Sequence, residues 1–158
     1  MGIWADSKLL LAISLGIAFL IAVTIIIVIR MHKYDNDLFD DMDGEEFEQY
    51  CVQLLSRMGF RNIEQTKASH DYGIDIMGQK DGISYAIQCK CYSNPVGIKA
   101  IQEAYAGKDY YGCMVGVVMT NQVFTKDAIE FADKLNILMW DGDIISKLIV
   151  QYGEKYGQ

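Results

Sequence analysis

Three side chains with different chemistry lie at positions that a β-hairpin would bring together. Asp75 ends the segment His70-Asp-Tyr-Gly-Ile-Asp75, and the segment Gln88-Cys-Lys90 follows. Residues two apart on a strand share a face, so Gln88 and Lys90 are predicted to point the same way. A turn near residues 80–82 places Asp75 roughly opposite residues 86–88. One face of the hairpin would then hold a carboxylate, an amide oxygen and an ammonium.

This combination suits the hydrolysis of phosphodiesters. Mg²⁺ prefers hard oxygen ligands, neutralises charge on a phosphate and generates hydroxide near neutral pH. Asp75 and Gln88 can supply such oxygens, together with a backbone carbonyl of the strand that holds Gln88. Lys90 would orient or deprotonate the attacking water, or stabilise the phosphate charge. The alternative is a simple Asp75–Lys90 ion pair on a solvated face, although both residues lie in apolar sequence, where unpaired charges are rarely buried.

The elements that must position these residues can be predicted from periodicity. A helix is expected from Gly44, with Asp43 as its N-cap, Glu46 completing a capping box and Gly59 ending it. The pattern further predicts strands at 61–66, 73–78, 83–91, 114–119 and 137–140, and helices at 98–110, 125–135 and 142–152. The order α-β-β-β-α-β-α-β-α predicts an α/β fold with a mixed sheet flanked by helices.

The N-terminal segment is strongly apolar. Residues 9–29 contain no charged side chain, and a helix of about 20 residues crosses a bilayer. A signal peptide or a buried core helix is the competing interpretation, but the run has no A-x-A cleavage pattern and no polar stripe. We therefore expect a membrane anchor in residues 1–30, an acidic linker in 31–43 and a separate domain in 44–158. Arg30 and Lys33 predict a single-pass protein of the cell membrane whose C-terminal domain is cytoplasmic.

Charge and cysteine content restrict the function only weakly. The net charge of −7 is unusual for a DNA-binding protein, but acid is concentrated in residues 35–48, and a basic groove can be local. The four cysteines could form disulfide bonds in a secreted protein, yet their apolar contexts favour reduced thiols. The ten tyrosines could stack on nucleic acid, although we expect Tyr105 to face inward and Tyr110 and Tyr111 to pack along a helix edge.

At these residues the chain resembles a known family. The motifs D-Y-G-I-D at 71–75, Q-C-K at 88–90 and P-V-G at 95–97 are similar to those of the Mrr-type branch of the PD-(D/E)-x-K nucleases, in which Gln replaces the usual acid. Asp43-Gly-Glu-Glu-Phe-Glu48 resembles the first helix of that family, and Gln102-Glu103, Thr120-Asn121 and Asp141-Gly142 resemble its later landmarks. The resemblance covers roughly residues 43–150.

The resemblance implies a restriction-endonuclease-like core that cuts double-stranded DNA. Asp75, Gln88, Lys90 and Glu48 would be the catalytic residues, and Asp75, Gln88 and Glu48 would hold Mg²⁺, with Mn²⁺ as a substitute. Asp71 matches another recurring acid, either a further metal ligand or a turn-forming residue. A homodimer is one option, since the sequence does not fix the oligomeric state. Mrr-type enzymes usually carry a separate DNA-reading domain, and an apolar segment stands in its place here.

Two other functions remain open at this stage. A catalytically inactive module with a nuclease fold could bind DNA or a protein partner at the membrane, and the negative charge favours it slightly. A structural membrane protein would use Asp75 and Lys90 only as an ion pair. Metal-dependent DNA cleavage that is lost in Asp75→Ala and Lys90→Ala distinguishes the enzyme from both.

Overall fold

The computed structural model describes residues 13–27, 39, 42–66 and 72–153. The chain divides into two compact units, Met1–Asp35 and Asn36–Gln158. In the first unit, residues 13–27 form helix α1.

The predicted membrane anchor is not supported. No helix within the described residues combines the length and the apolar character that crossing a bilayer requires. Residues 9–12 and 28–29 of the predicted span lie outside the described residues. The predicted location, a single pass through the cell membrane with a cytoplasmic C-terminal domain, is therefore wrong.

Residues 44–66 and 72–153 of the second unit form a five-stranded mixed sheet and four helices. The strands lie in the order in which they occur in the chain; the first two pairings are antiparallel and the last two are parallel. The strands are β1 (Arg61–Gln65), β2 (Ile76–Lys80), β3 (Ile83–Lys90), β4 (Val115–Thr120) and β5 (Ile137–Trp140). The helices are α2 (Gly44–Arg57), α3 (Ile98–Tyr110), α4 (Lys126–Leu135) and α5 (Gly142–Tyr152). The predicted α/β class and element order are confirmed.

The helices form two layers, one on each face of the sheet. Helices α2 and α5 bury their apolar residues, including Cys51 and Ile145, against one face of β2, β3 and β4. Helices α3 and α4 form a second core on the other face, with Ala104 and Ala132 fully buried. Both of these helices connect parallel strands, and right-handed crossovers place such connections on the same side of a sheet. The central strand β3 therefore has one face toward each layer.

The start of α2 follows its sequence signal. The Asp43 side chain accepts a hydrogen bond from the Glu46 N–H, and the Glu46 side chain accepts one from the Asp43 N–H, which is the predicted capping box. Phe39 lies inside the predicted linker 31–43, but it is buried and packs edge-on against Phe47. Most of the remaining linker lies outside the described residues.

The hairpin that carries the site is closed by a two-residue turn. Asp81 and Gly82 both have positive φ angles, of 52° and 80°, as a type I′ turn requires. This turn fixes the register of β2 on β3, so that Ile76 pairs with Ile87. The Asp75 N–H donates to the Ile87 carbonyl, which continues the ladder by one residue. Asp75 thus lies just before β2, and not inside a strand over 73–78 as predicted.

Candidate active site

Asp75 and Gln88 are adjacent at the end of the hairpin, on the face that carries α3 and α4. Since Ile76 pairs with Ile87, the next pair along the ladder brings Asp75 opposite Gln88. Both side chains are nearly inaccessible, with 8% of Asp75 and 3% of Gln88 exposed. Charged and amide groups are rarely buried to this degree unless they are paired or serve a binding function.

Two hydrogen bonds reach the same oxygen of Asp75. Its Oδ2 accepts a hydrogen bond from the Cys89 backbone N–H at 2.6 Å, and another from Gln88 Nε2. The remaining amide atom, Gln88 Oε1, is buried and has no hydrogen-bond partner. A buried acceptor without a hydrogen-bond partner destabilises the folded protein by roughly 1–3 kcal/mol. A bound group that interacts with Gln88 Oε1 would remove this cost.

Lys90 lies two residues after Gln88, at the end of β3. Its Nζ lies 3.0 Å from Glu103 Oε2 on α3, and Lys99 lies 3.7 Å from the other oxygen of that carboxylate. Burial by itself would lower the pKa of Lys90, but the hydrogen bond and the charge of Glu103 outweigh it and raise the pKa above its ordinary value. Lys90 is therefore held as an ammonium.

These side chains line one open cleft of about 530 Å³. The cleft lies between the hairpin and α3. Its lining residues are Tyr72, Gly73, Asp75, Gln88, Lys90, Lys99, Gln102, Glu103 and Ala106. The predicted trio of Asp75, Gln88 and Lys90 is thus brought together, with two further charged residues from α3.

The segment before Asp75 is pressed closely onto α3. A Cβ atom on Gly73 would lie 2.8 Å from the Cβ of Glu103, and one on Gly107 would lie 2.8 Å from the carbonyl oxygen of Tyr72 and in direct overlap with Ile74. Real Cβ atoms do not approach so closely, so glycine is needed on both sides of the contact. The contact fixes Asp75 relative to Lys90 and Glu103.

The other sequence-predicted acids have different positions. Glu48 lies on α2, in the opposite layer, and does not line the cleft. It is nevertheless near the end of the hairpin. The pKa of Cys89 is raised by a hydrogen bond with Cys51, by burial and by negative charges that include Asp75 and Glu48. The role of Glu48 as a metal ligand remains a prediction. Asp71 lies outside the described residues.

No local sequence pattern identifies Glu103 as the partner of Lys90. The two residues lie on different elements, and the spacing of residues within a helix carries no information about a lysine on a strand. The available signal was the position of Glu103 four residues after Lys99, since charged residues at this spacing lie on one helix face. The four cysteines, all in the described part of the chain, form no disulfide bond.

The donor set is consistent with a divalent metal ion. Asp75 offers a carboxylate, and Gln88 offers the buried Oε1 that has no partner. These are the hard oxygen donors that Mg²⁺ and Mn²⁺ prefer. Across the described residues no group of three or more His, Cys, Asp or Glu side chains is arranged to hold a metal, so such a site would depend on the amide oxygen and on backbone or solvent oxygens.

Comparison with known proteins identifies the family. A family model described as "Restriction endonuclease" (Mrr_cat) matches residues 39–149, which is more than half of the chain. The chain belongs to this restriction endonuclease family. The match includes both layers of helices, the whole sheet and the cleft.

Solved structures share the restriction endonuclease fold. A protein of unknown function, AF1548, matches with a TM-score of 0.57 and 24% identity, covering 67% of this chain and 65% of that one. The DNA modification-dependent restriction endonuclease AspBHI matches with a TM-score of 0.59 and 17% identity, covering 78% of this chain and 35% of that one. MspJI, solved in complex with a 27-mer oligonucleotide, matches with a TM-score of 0.57 and 16% identity, covering 82% of this chain and 33% of that one.

The present chain spans less than two thirds of the length of each of these three proteins. No curated protein matches it. At these levels of identity the structural matches establish the fold, while the family model establishes a nuclease domain of the restriction endonuclease type.

Proposed function

We propose that this chain is a metal-dependent endonuclease that hydrolyses phosphodiester bonds of double-stranded DNA in the cleft between the hairpin and α3. The observation that supports the proposal is the buried pair of Asp75 and Gln88, with one amide oxygen unsatisfied, beside the ammonium of Lys90. A structural ion pair would not require an amide oxygen to be buried without a partner. The nuclease domain is proposed to span residues 44–158.

Asp75 and Gln88 are the proposed ligands of Mg²⁺, and Mn²⁺ would substitute. When bound, the metal ion would neutralise charge on the scissile phosphate and lower the pKa of an attacking water. The Cys89 N–H and the Gln88 amide orient Asp75 Oδ2 by their hydrogen bonds. Burial of Asp75 and Gln88 strengthens electrostatic interactions at these two residues, because protein screens charge less than bulk water does.

Lys90 is proposed to act through its positive charge. Glu103 raises its pKa, so the side chain carries a proton at neutral pH. A protonated lysine cannot accept a proton from water, but it can stabilise negative charge that develops on a phosphate. The sequence left three roles open, namely orienting the attacking water, deprotonating it and stabilising phosphate charge. This environment disfavours deprotonation, and stabilisation of the phosphate charge is the role that we propose.

The cleft offers two cations that could contact backbone phosphates. Lys90 and Lys99 line it beside the carboxylates of Asp75 and Glu103, and the whole chain carries a net charge of −7. Backbone phosphates are bound by such local cations, and this binding weakens as salt rises. The homodimer and the part of Glu48 in the metal site remain predictions.

The experiment is cleavage of supercoiled plasmid by the full-length chain with Mg²⁺, with Mn²⁺ and with chelator. We expect nicking or linearisation with either metal and none with chelator, and a loss of at least about 100-fold in Asp75→Ala and Lys90→Ala. Lys147→Ala is the matched control, because Lys147 is an exposed lysine on α5. Intact plasmid with both metals, or full activity in the two cleft variants, would contradict the proposal.

A further inference from the structure

Two tyrosines form an exposed aromatic stack at the edge of the cleft. The rings of Tyr72 and Tyr110 lie 3.9 Å apart between centroids and are inclined by 26°, and Tyr111 contacts Tyr110 edge-on. Tyr72 is 51% exposed and Tyr110 is 59% exposed, so the stack is not part of either core.

The backbone holds Tyr72 in this exposed position. Its φ angle is +49°, a left-handed conformation that a bulky side chain rarely adopts. The surrounding contacts impose this conformation, because Gly73 lies against Glu103 and the Tyr72 carbonyl lies against Gly107. Strained conformations persist where neighbouring structure requires them, and they concentrate at functional sites.

The stack is continuous with the candidate active site. Tyr72 lines the same cleft as Asp75, Gln88 and Lys90. One face of its ring is covered by Tyr110, which supports it, and half of the side chain remains accessible. The cleft beside the ring holds two lysines and two carboxylates. Exposed aromatic rings of this kind stack on the bases of single-stranded nucleic acid.

We propose that Tyr72, supported by Tyr110, is a stacking site for an unpaired nucleobase of the DNA that occupies the cleft. The inference rests on the proposed function and specifies its substrate further. Bases inside an intact duplex have both faces covered by their neighbours, so the site would select DNA with a gap, a frayed end or another unpaired base near the scissile phosphate. Stacking tolerates any base, because every base has an aromatic face.

The test measures binding without cleavage. Full-length protein is titrated in chelator against two fluorescent oligonucleotides, one fully paired and one with a gap of about five nucleotides, a length within the site sizes of single-strand binding proteins. The middle gap base is 2-aminopurine, whose emission is quenched when it stacks on an aromatic ring. The variants are Tyr72→Ala, Tyr72→Phe and Tyr110→Ala. Tyr105→Ala is the control, since Tyr105 is an exposed tyrosine of α3 that does not line the cleft.

We expect the wild-type protein to bind the gapped probe about tenfold more tightly than the paired probe, with quenching. Tyr72→Ala and Tyr110→Ala should remove both the preference and the quenching, while Tyr72→Phe and Tyr105→Ala retain them. Equal binding of the two probes by the wild-type protein overturns the inference, as does an unchanged preference in folded Tyr72→Ala and Tyr110→Ala.

Plasmid cleavage separates this inference from the proposed function. If the wild-type protein cuts plasmid with Mg²⁺ but binds both probes equally, the stacking site is overturned and the nuclease function stands. If the gapped probe is bound through Tyr72 while no DNA is cut with any metal, the nuclease function is overturned and the stacking site stands.

Discussion

Replacement of Gly107 by alanine should impair the active site from a position outside it. Gly107 lies in the interior of α3, and its α-carbon faces the segment that leads to Asp75. The added Cβ would overlap with Ile74 and lie 2.8 Å from the Tyr72 carbonyl oxygen. Backbone atoms are among the contacts, so a side-chain rotation cannot relieve them all. Either α3 or residues 72–75 must move.

Two opposing effects set the magnitude. Alanine is favoured over glycine inside a helix by about 1 kcal/mol. Overpacking of a close contact costs typically about 1–3 kcal/mol. We therefore expect Gly107→Ala to be destabilised by up to about 2 kcal/mol. A displacement of roughly 1 Å between Asp75 and Lys90 would reduce the cleavage rate by about 100-fold.

Stability is measured by urea denaturation and activity by plasmid cleavage with Mg²⁺. Gly44→Ala is the matched control, because Gly44 is a helical glycine whose Cβ would have nothing within 4 Å. The control should keep full activity and change in stability by less than about 1 kcal/mol. If Gly107→Ala is more stable than the wild-type protein and equally active, the close contact does not position the site and this reasoning is wrong.

Two further predictions follow from the environments of Lys90 and α2. Glu103→Gln removes the charge that raises the pKa of Lys90. The alkaline limb of the pH–rate profile should therefore move to lower pH, and an unchanged limb would contradict this role of Glu103. The ion pair of Lys90 and Glu103 also predicts a pH dependence of the free energy of unfolding. Its stabilising contribution is fully present below the ordinary lysine pKa, about 10.4. The contribution is lost as pH rises through the higher pKa of Lys90 in the folded protein. Asp43→Ala removes the N-cap of α2 and should cost about 1 kcal/mol in urea denaturation with cleavage unchanged; no loss of stability would show that the capping box is not stabilising.

Local signals in the sequence predicted the architecture well. Helix and strand periods, the capping box at Asp43 and the Asp81-Gly82 turn are all encoded by neighbouring residues, and the structure follows them. Thr125 caps α4 by accepting a hydrogen bond from the Ala128 N–H. The hairpin register then brought Asp75 opposite Gln88 without further information.

Features that depend on tertiary contacts were less predictable. The second strand begins at Ile76 because the close packing of Gly73 against α3 leaves residues 72–74 in a turn, and no strand propensity reports such a contact. Tyr105 was expected to face inward, but it is 38% exposed and lies beneath the ammonium of Lys108. The apolar N-terminal segment predicted a membrane span, whereas the described helix covers only residues 13–27.

The proposed chemistry requires one divalent cation, which Asp75 and Gln88 would hold. Titration of the full-length protein with Mn²⁺, followed by electron paramagnetic resonance of the free ion, tests this claim most directly. We predict saturable binding by the wild-type protein that is lost in Asp75→Ala and weakened at least about tenfold in Gln88→Leu, a range typical of lost metal-site interactions. Absence of Mn²⁺ uptake by the wild-type protein, or equal uptake by Gln88→Leu, would contradict the account.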